Sequence, residues 1–380
     1  MRAFPRSARR SLGCLAAVLA TTALAACSGG GGGSAAATSG PAPAWCGTKP
    51  VVFGMQDGGG LNAWSKTSAD EVLKTVHQCP NVTKVLTVNA QFDLQAAISG
   101  LQGMVAQGAN AIVIIPDAGG TGAELPGIRA AHKRGVAIVP WGADPGGAPG
   151  QDYLAYADID HRQAGREWAE WMGRQLPQGG KVAFIGGPAG NAPSAQEVAG
   201  IVEGLKAFPN ATLVSGDTTW IDGGWDPAKA QQAAAGLLSQ HPDIAGVFSD
   251  EGVSSTGIIR AFQAAGRPLV PIASLEANAL ACDYANLSAA NPGLQVATVS
   301  AGNFVGRIAA QLAIAKAAGV EISPDDALSP NPMVPDRLIE NSLDGARRPT
   351  CDPAQPPSAL LSNRMTDDQL KALTRGGGAP

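Results

Sequence analysis

Five short segments of this chain gather carboxylates, amides and indoles between stretches that read as strand and helix. They are Gln56-Asp57-Gly58-Gly59-Gly60-Leu61-Asn62-Ala63-Trp64, Asp117-Ala118-Gly119-Gly120, Trp141-Gly142-Ala143-Asp144, Gly186-Gly187-Pro188 running on to Asn191, and residues 222–226 with Trp225. Lys and Arg are almost absent from them. Carboxylates and amides exchange hydrogen bonds with hydroxyls, and aromatic faces cover the apolar carbon surface of a sugar ring, so the mixture suits a small neutral polyhydroxylated ligand. Each residue also has a plainer structural use. Trp64 and Trp225 can roof a core at a helix start, and Trp141, at a strand end, can face either way. Asp144, Asp160 and Asp226 stand where helix N-caps belong, and capping alone accounts for Asp160. Asp57 and Asp144 have the better claim to a ligand.

Other chemistries find no such support. Gly119-Gly120-Thr121-Gly122 follows a strand and precedes a helix, yet it lacks both the spacing of a dinucleotide fingerprint and the lysine of a P-loop. His77, His132, His161 and His241 are scattered without metal-ligand spacing. Ser254-Ser255 near Gly252 forms no Gly-x-Ser-x-Gly elbow. The expectation is a binding protein rather than an enzyme, with no metal and no cofactor.

The elements that must position these loops follow from the rest of the chain. It has 380 residues, 45% of them hydrophobic and 15% charged, enough for two domains with cores and too apolar for disorder. The first 26 residues hold Arg2, Arg6, Arg9 and Arg10 and no acid; of 27 Lys and Arg, 23 remain against 31 Asp and Glu, a net of −8 that disfavours nucleic acid. Those 26 residues run from a basic stretch through an apolar stretch to small residues, which is an export signal. Leu24-Ala25-Ala26-Cys27 resembles the bacterial lipobox, in which the signal is cut before an acylated Cys. The rival reading is an ordinary cleavage site with an incidental Cys27. Residues 27–45 are rich in Gly, Ser, Ala and Pro and read as a flexible tether.

Beyond the signal and Cys27, four cysteines remain, Cys46, Cys79, Cys282 and Cys351, and an even number in an exported chain suggests two disulfides. Four cysteines allow three pairings. Cys46 just before the first strand and Cys79 at the end of the first helix favour Cys46 with Cys79 and Cys282 with Cys351; four unpaired thiols are the alternative. Strands are expected at 51–55, 82–88, 111–115 and 137–141, then at 153–157, 181–185, 212–215, 246–249, 269–273 and 295–300. Helices lie between them, 160–176 and 195–207 among them. Ala164, Trp168, Trp171 and Met172 share one helical face and belong to a core. This alternation argues an α/β fold of two doubly wound parallel-sheet lobes, with ligand chemistry beyond the carboxyl ends of the strands.

A run of segments in register resembles the type I periplasmic solute-binding proteins of ABC importers, the ribose/galactose-like sugar-binding group, over roughly residues 50–345. They include Phe92-Asp93-Leu94-Gln95, Met104-Val105-Ala106-Gln107-Gly108-Ala109-Asn110, Gly135-Val136-Ala137-Ile138-Val139-Pro140, Asp158-Ile159-Asp160-His161-Arg162-Gln163-Ala164-Gly165, Trp225-Asp226-Pro227-Ala228-Lys229-Ala230 and His241-Pro242-Asp243-Ile244-Ala245-Gly246-Val247-Phe248. The resemblance implies a clamshell joined by a three-strand hinge, Pro335-Asp336-Arg337-Leu338-Ile339-Glu340-Asn341 being similar to the last crossing strand. It places the first lobe at 46–146 plus 303–328, the second at 147–302 plus 334–345, and a C-terminal extension at 346–380. It carries Gln56, Asp57 and Trp64 to the first binding loop, Asp144 to the loop after the fourth strand, Trp225 to the aromatic stacking position, Asp250 and Glu251 to the loop after Phe248, and Asn303 to the final crossover. Trp141 and Asn191 complete the expected ligand contacts.

The implied protein is a monomer anchored by lipid outside the cytoplasm, handing its solute to a membrane permease. A lipid-anchored sensor presenting its closed form to a receptor reads the same way, and an exported hydrolase is a weaker alternative. Some residues depart from the family pattern. Ile201 precedes Val202-Glu203-Gly204-Leu205 where sugar binders commonly carry an Arg, Ser249-Asp250 replaces an Asn-Asp pair, and Ser274-Leu275-Glu276 replaces Phe-Asp-Gly. The ligand is therefore not expected to be held as ribose is held.

Overall fold

A computed structural model describes residues 41–60, 62–321, 333–334, 338–340, 350–360, 362–364 and 366. The expected export signal, Cys27 and most of the expected tether lie outside the described residues, and so does most of the expected C-terminal extension. All described residues belong to one compact unit.

The first half of the chain runs β1 (Val51–Asp57), α1 (Ala63–Val76), β2 (Val82–Asn89), α2 (Leu94–Ala106), β3 (Ala111–Ile115), α3 (Leu125–Lys133) and β4 (Ala137–Pro140). After a crossing come β5 (Asp158–Ile159), α4 (His161–Gln175), β6 (Gly180–Gly186), α5 (Ala192–Leu205), β7 (Ala211–Leu213), β8 (Ile221–Asp222) and α6 (Pro227–Gln240). The series continues with β9 (Ile244–Ser249), α7 (Gly252–Ala264), β10 (Ile272–Leu275), α8 (Asn278–Leu287), β11 (Val296–Val299), α9 (Val305–Ala318), β12 (Met333–Val334) and β13 (Leu338–Glu340).

One parallel sheet has the order β2-β1-β3-β4, and the second has the order β13-β11-β10-β9-β6-β7 with β8 also on β6. The second sheet is parallel except where β13 runs against β11. Fully buried strands such as β3, Ala-Ile-Val-Ile-Ile, lie between helical layers, which is why they read as continuous apolar runs. The segment β11 to α9 returns the chain to the first sheet, where Ile308, Leu312 and Ile314 pack with Val51, Phe53 and Val139. β5 and β12 pair with each other, apart from both large sheets. This is the α/β architecture of two sheets covered by helices that the alternation of strand and helix predicts.

Two expected strands need correction. Residues 153–157 form no strand; the segment runs beside β4 through Leu154 N–H to Ile138 O and Ala157 N–H to Pro140 O, donors three residues apart rather than the two of a ladder. The strand expected at 269–273 begins only at Ile272, because Pro271 has no N–H to give. The helical face carrying Ala164, Trp168, Trp171 and Met172 is wholly buried, against Phe184, Ile201 and Phe248.

Both disulfides are formed as the cysteine positions favour. Cys46 joins Cys79, tying the 3-10 turn Ala44–Cys46 to the loop after α1, with Cα atoms 5.2 Å apart. Cys282 joins Cys351, fastening residues 350–360 to α8 with Cα atoms 4.5 Å apart. Asn278 reinforces that strap, donating from Nδ2 to Asp352 O at 2.9 Å and accepting the Asp352 N–H.

Candidate functional site

In each large sheet the strand order reverses once. The reversal falls between β1 and β3 in the first and between β6 and β9 in the second, the places where a crevice opens beyond the strand ends. One pocket, about 620 Å³ including its mouth, is lined from both. β1 supplies Asp57 and the loop after β3 supplies Asp117; α5, which follows β6, supplies Pro193 and Glu197; the loop after β9 supplies Asp250 and Glu251. The lobes also touch beside it. Phe92 and Trp225 lie with ring centroids 6.0 Å apart, and a Cβ on Gly120 would stand 3.0 Å from Gly190 O.

The first-lobe wall is built on the start of α1. Asn62 caps that helix by accepting the Ser65 N–H, and the turn before it is fixed by Asp57 Oδ1 accepting the Gly59 N–H at 2.9 Å. Trp64 then reaches back, its indole N–H donating to Ala301 O at 2.6 Å in the crossing segment before α9. Its ring stacks on Trp141, centroids 5.6 Å apart. The second-lobe wall is organised by Asp250. It accepts from the Ser194 hydroxyl, from the Gly187 N–H at 3.1 Å and from the indole N–H of Trp225. Trp225 has φ +50, a left-handed conformation costly for a bulky residue. Its ring crosses Gly187, where a Cβ would come within 2.2 Å of the indole, so only glycine admits it.

α4 and α5 approach through glycine. A Cβ on Gly165 would stand 2.1 Å from Glu197 O and one on Gly200 2.0 Å from Arg162 O, so the two backbones are in direct contact. This brings His161, first residue of α4, to Glu197: Nδ1 donates to Glu197 Oε1 at 2.9 Å while Nε2 lies 3.5 Å from Asp158 Oδ1. Burial opposes the imidazolium, but Asp158 and Glu197 outweigh it and hold the His161 pKa well above its ordinary value. Asp250 is raised well above the carboxylate range by burial and by Glu197, and Asp57 and Glu251 are raised by burial. Burial and the neighbouring Asp57 push Asp117 up to about 7, although the Ala192 N–H of the opposite lobe works against the shift. Glu251 meanwhile caps α7 by accepting the Ser254 N–H.

Of the residues expected at the ligand, Asp57, Trp64, Trp225, Asp250 and Glu251 line this pocket. The rest lie behind it. Gln56 is wholly buried and donates to Glu124 at 2.9 Å, and Glu124 in turn accepts the Ala118 N–H at 3.0 Å, bracing the loop that carries Asp117. Burial pushes Glu124 up to about 7. Trp141 packs under Trp64 within the first-lobe core. Asp144 folds onto its own loop, accepting the Gly146 N–H at 2.8 Å. Asn191 caps α5, and Asn303 clamps α1 by donating to Trp64 O at 3.0 Å and to the Ser68 hydroxyl at 2.6 Å. Asp160 and Asp226 are N-caps of α4 and α6.

Asp117, Asp158, His161 and Glu197 line the pocket without having been singled out as ligand contacts. A signal for Glu197 was available: the cap Asn191, then Ser194 and Glu197, recur every third residue along the otherwise apolar buried side of α5.

A pocket between two largely parallel sheets, at the points where their strand orders reverse, is the arrangement of the type I periplasmic-binding-protein fold. This chain belongs to the family described as periplasmic binding protein domain, which matches residues 59–321. It is 24% identical over 183 residues to a D-ribose/D-allose-binding protein of Pseudomonas aeruginosa, covering 47% of this chain and 55% of that one. It is also 24% identical over 212 residues to a xylitol-binding protein of Mycolicibacterium smegmatis, covering 55% and 58%. The chain thus spans a little over half the length of these relatives. Among solved structures, it is similar to the binding component of the arabinose ABC transporter of Shewanella sp. ANA-3 bound to L-arabinofuranose, with TM-score 0.60, 20% identity and coverage of 69% and 84%. A Caulobacter myo-inositol binding protein bound to myo-inositol gives 0.61, 20%, 76% and 93%. The fructose-binding periplasmic domain of the hybrid two-component system BT1754 gives 0.64, 17%, 77% and 91%. At these identities the structures establish the fold.

Proposed function

We propose that this chain is an extracytoplasmic solute receptor that captures a small polyhydroxylated molecule, a sugar or polyol, between its lobes and delivers it to an ABC importer. The observation that carries this reading is the interlobe pocket itself, where Trp64 and Trp225 offer aromatic surface beside carboxylates drawn from both lobes. The names of the relatives support it, since they bind ribose or allose and xylitol, and the similar structures hold arabinofuranose and myo-inositol. On this reading residues 1–26 are removed at export and Cys27 carries the lipid. Residues 27–45 form the leash, and residues 46–146 plus 303–328 close against 147–302 plus 334–345. A ligand touching both lobes favours the closed form by its difference in affinity for the two arrangements, and the closed form docks on the permease.

A second reading, delivery of the closed form to a signalling receptor, has one observation in its favour: the similar fructose-binding domain belongs to a two-component system. A thermal-shift screen of sugars, polyols and nucleosides tests the shared claim. A ligand that binds only the folded state at 100 times its Kd adds about 2.7 kcal/mol of stability. A clear rise in melting temperature with a sugar or polyol is expected; a panel in which only nucleosides act, or nothing does, overturns the reading.

A further inference from the structure

The pocket gathers more carboxyl groups than a neutral guest needs. Asp57, Asp117, Asp158, Glu197, Asp250 and Glu251 all line it, and among its described lining residues there is no Lys or Arg. The single imidazolium, His161, is committed to Asp158 and Glu197 at once. Asp250 is occupied by Ser194, Gly187 and Trp225, and Glu251 by its helix cap. Two oxygens stay unanswered: Asp117 Oδ1 from the first lobe and Glu197 Oε2 from the second, both buried and without a hydrogen-bond partner. Asp117 and Glu197 are each more than nine-tenths buried and line the same pocket from opposite sides.

A hydroxyl can donate to such an oxygen, but it cannot hold a buried carboxyl in its ionised form, because a buried charge without a counter-charge is costly. A cation removes that cost, and the indole faces of Trp64 and Trp225 add a cation–π attraction where they approach it. Resting on the sugar or polyol reading above, we propose that the guest is a sugar or polyol bearing a protonated amine, its ammonium set against the free carboxylate oxygens of Asp117 and Glu197. Charge outside the site acts in the same direction: beyond residue 26 the chain carries 31 acids against 23 of its 27 Lys and Arg, a field that steers cations inward. The raised pKa of Asp117 fits a carboxyl that waits for a positive partner and ionises when it arrives.

The test is calorimetric titration of the whole chain with matched pairs at a pH where the amine is protonated. The pairs are D-glucosamine against D-glucose, D-galactosamine against D-galactose, and 1-amino-1-deoxy-D-sorbitol against D-sorbitol. In at least one pair the amine is expected to bind tenfold or more tighter than its parent. Titrations in two buffers of different ionisation enthalpy should show proton release with the amine, because the cation draws Asp117 toward its ionised form. Glu197→Gln should cut the preference for the amine to threefold or less. Asp117→Asn on the opposite lobe provides the same readout should Glu197→Gln melt early. Parents that bind as tightly as their amines, in every pair that binds, overturn the charge inference and leave the sugar or polyol reading standing. Binding by no member of any pair overturns this inference and counts against that reading as well.

Discussion

Replacing Trp225 separates a ligand-covering role from a merely structural one. The indole crosses Gly187, donates to Asp250 and meets Phe92 of the other lobe at 6.0 Å, so its outer face belongs to the pocket while its N–H and inner edge are fixed by the second lobe. Covering one face of a sugar-sized guest removes about 40 to 60 Å² of apolar surface from water, worth about 1 to 1.5 kcal/mol. The aromatic contact adds about 0.5 to 1.5 kcal/mol. Trp225→Ala should therefore weaken binding by about 1.5 to 3 kcal/mol, a loss of about ten- to 150-fold in Kd. Trp225→Phe keeps a ring but withdraws the N–H from Asp250, and should fall between alanine and the parent. Calorimetric titration with the tightest sugar or polyol from the thermal-shift screen reads this directly, and a melting curve of each variant confirms that it folds. An alanine variant that binds within twofold of the parent would remove Trp225 from the ligand surface and leave it a packing residue.

Other outcomes follow from the same geometry. Asp117 and Glu124 are both pushed up to about 7, so each holds more protons folded than unfolded between their ordinary values and that pH. Their contribution is complete below about pH 4 and is lost as pH rises through 7, amounting for Asp117 to about 4 kcal/mol. His161, raised well above its ordinary value, acts in the same direction at higher pH. The unliganded protein should melt lower at pH 8 than at pH 5, and Asp117→Asn should flatten that slope; a melting point that climbs over this range contradicts the assignment. Gly200→Ala places a Cβ against Arg162 O and should cost about 2 to 4 kcal/mol in denaturant unfolding, since backbone cannot step aside. Loss of either disulfide, which close loops with sequence separations of 33 and 69, should cost about 4 kcal/mol each by chain entropy. Melting curves of Cys79→Ser and Cys351→Ser check this, and an unchanged melting point would show that the staples carry no stability.

The fold was legible because parallel strands buried on both faces announce themselves as apolar runs, as β3 does, and because Trp168 and Trp171 share one helical face. The candidate binding loops were legible as loops, since they are where carboxylates and indoles interrupt that pattern. Which way each side chain turns was not. Gln56 and Asp57 are neighbours at the end of β1, and strand alternation sends one under the sheet to Glu124 and the other to the pocket. Trp64 and Trp141 lie 77 positions apart in the chain, and only the returning loop shows that the first covers the second. Asp158, His161 and Glu197 stayed hidden for a related reason. Their charge pairing depends on glycines that let α4 and α5 touch, a contact between helices that neither sequence announces alone.

The most direct measurement is a crystal structure of the chain with the tightest ligand from the screen. The expected result is one molecule between the lobes, contacting Trp225 and at least one carboxylate from each side. A ligand seated outside this crevice, or held by one lobe alone with the two sheets apart, would contradict capture by closure.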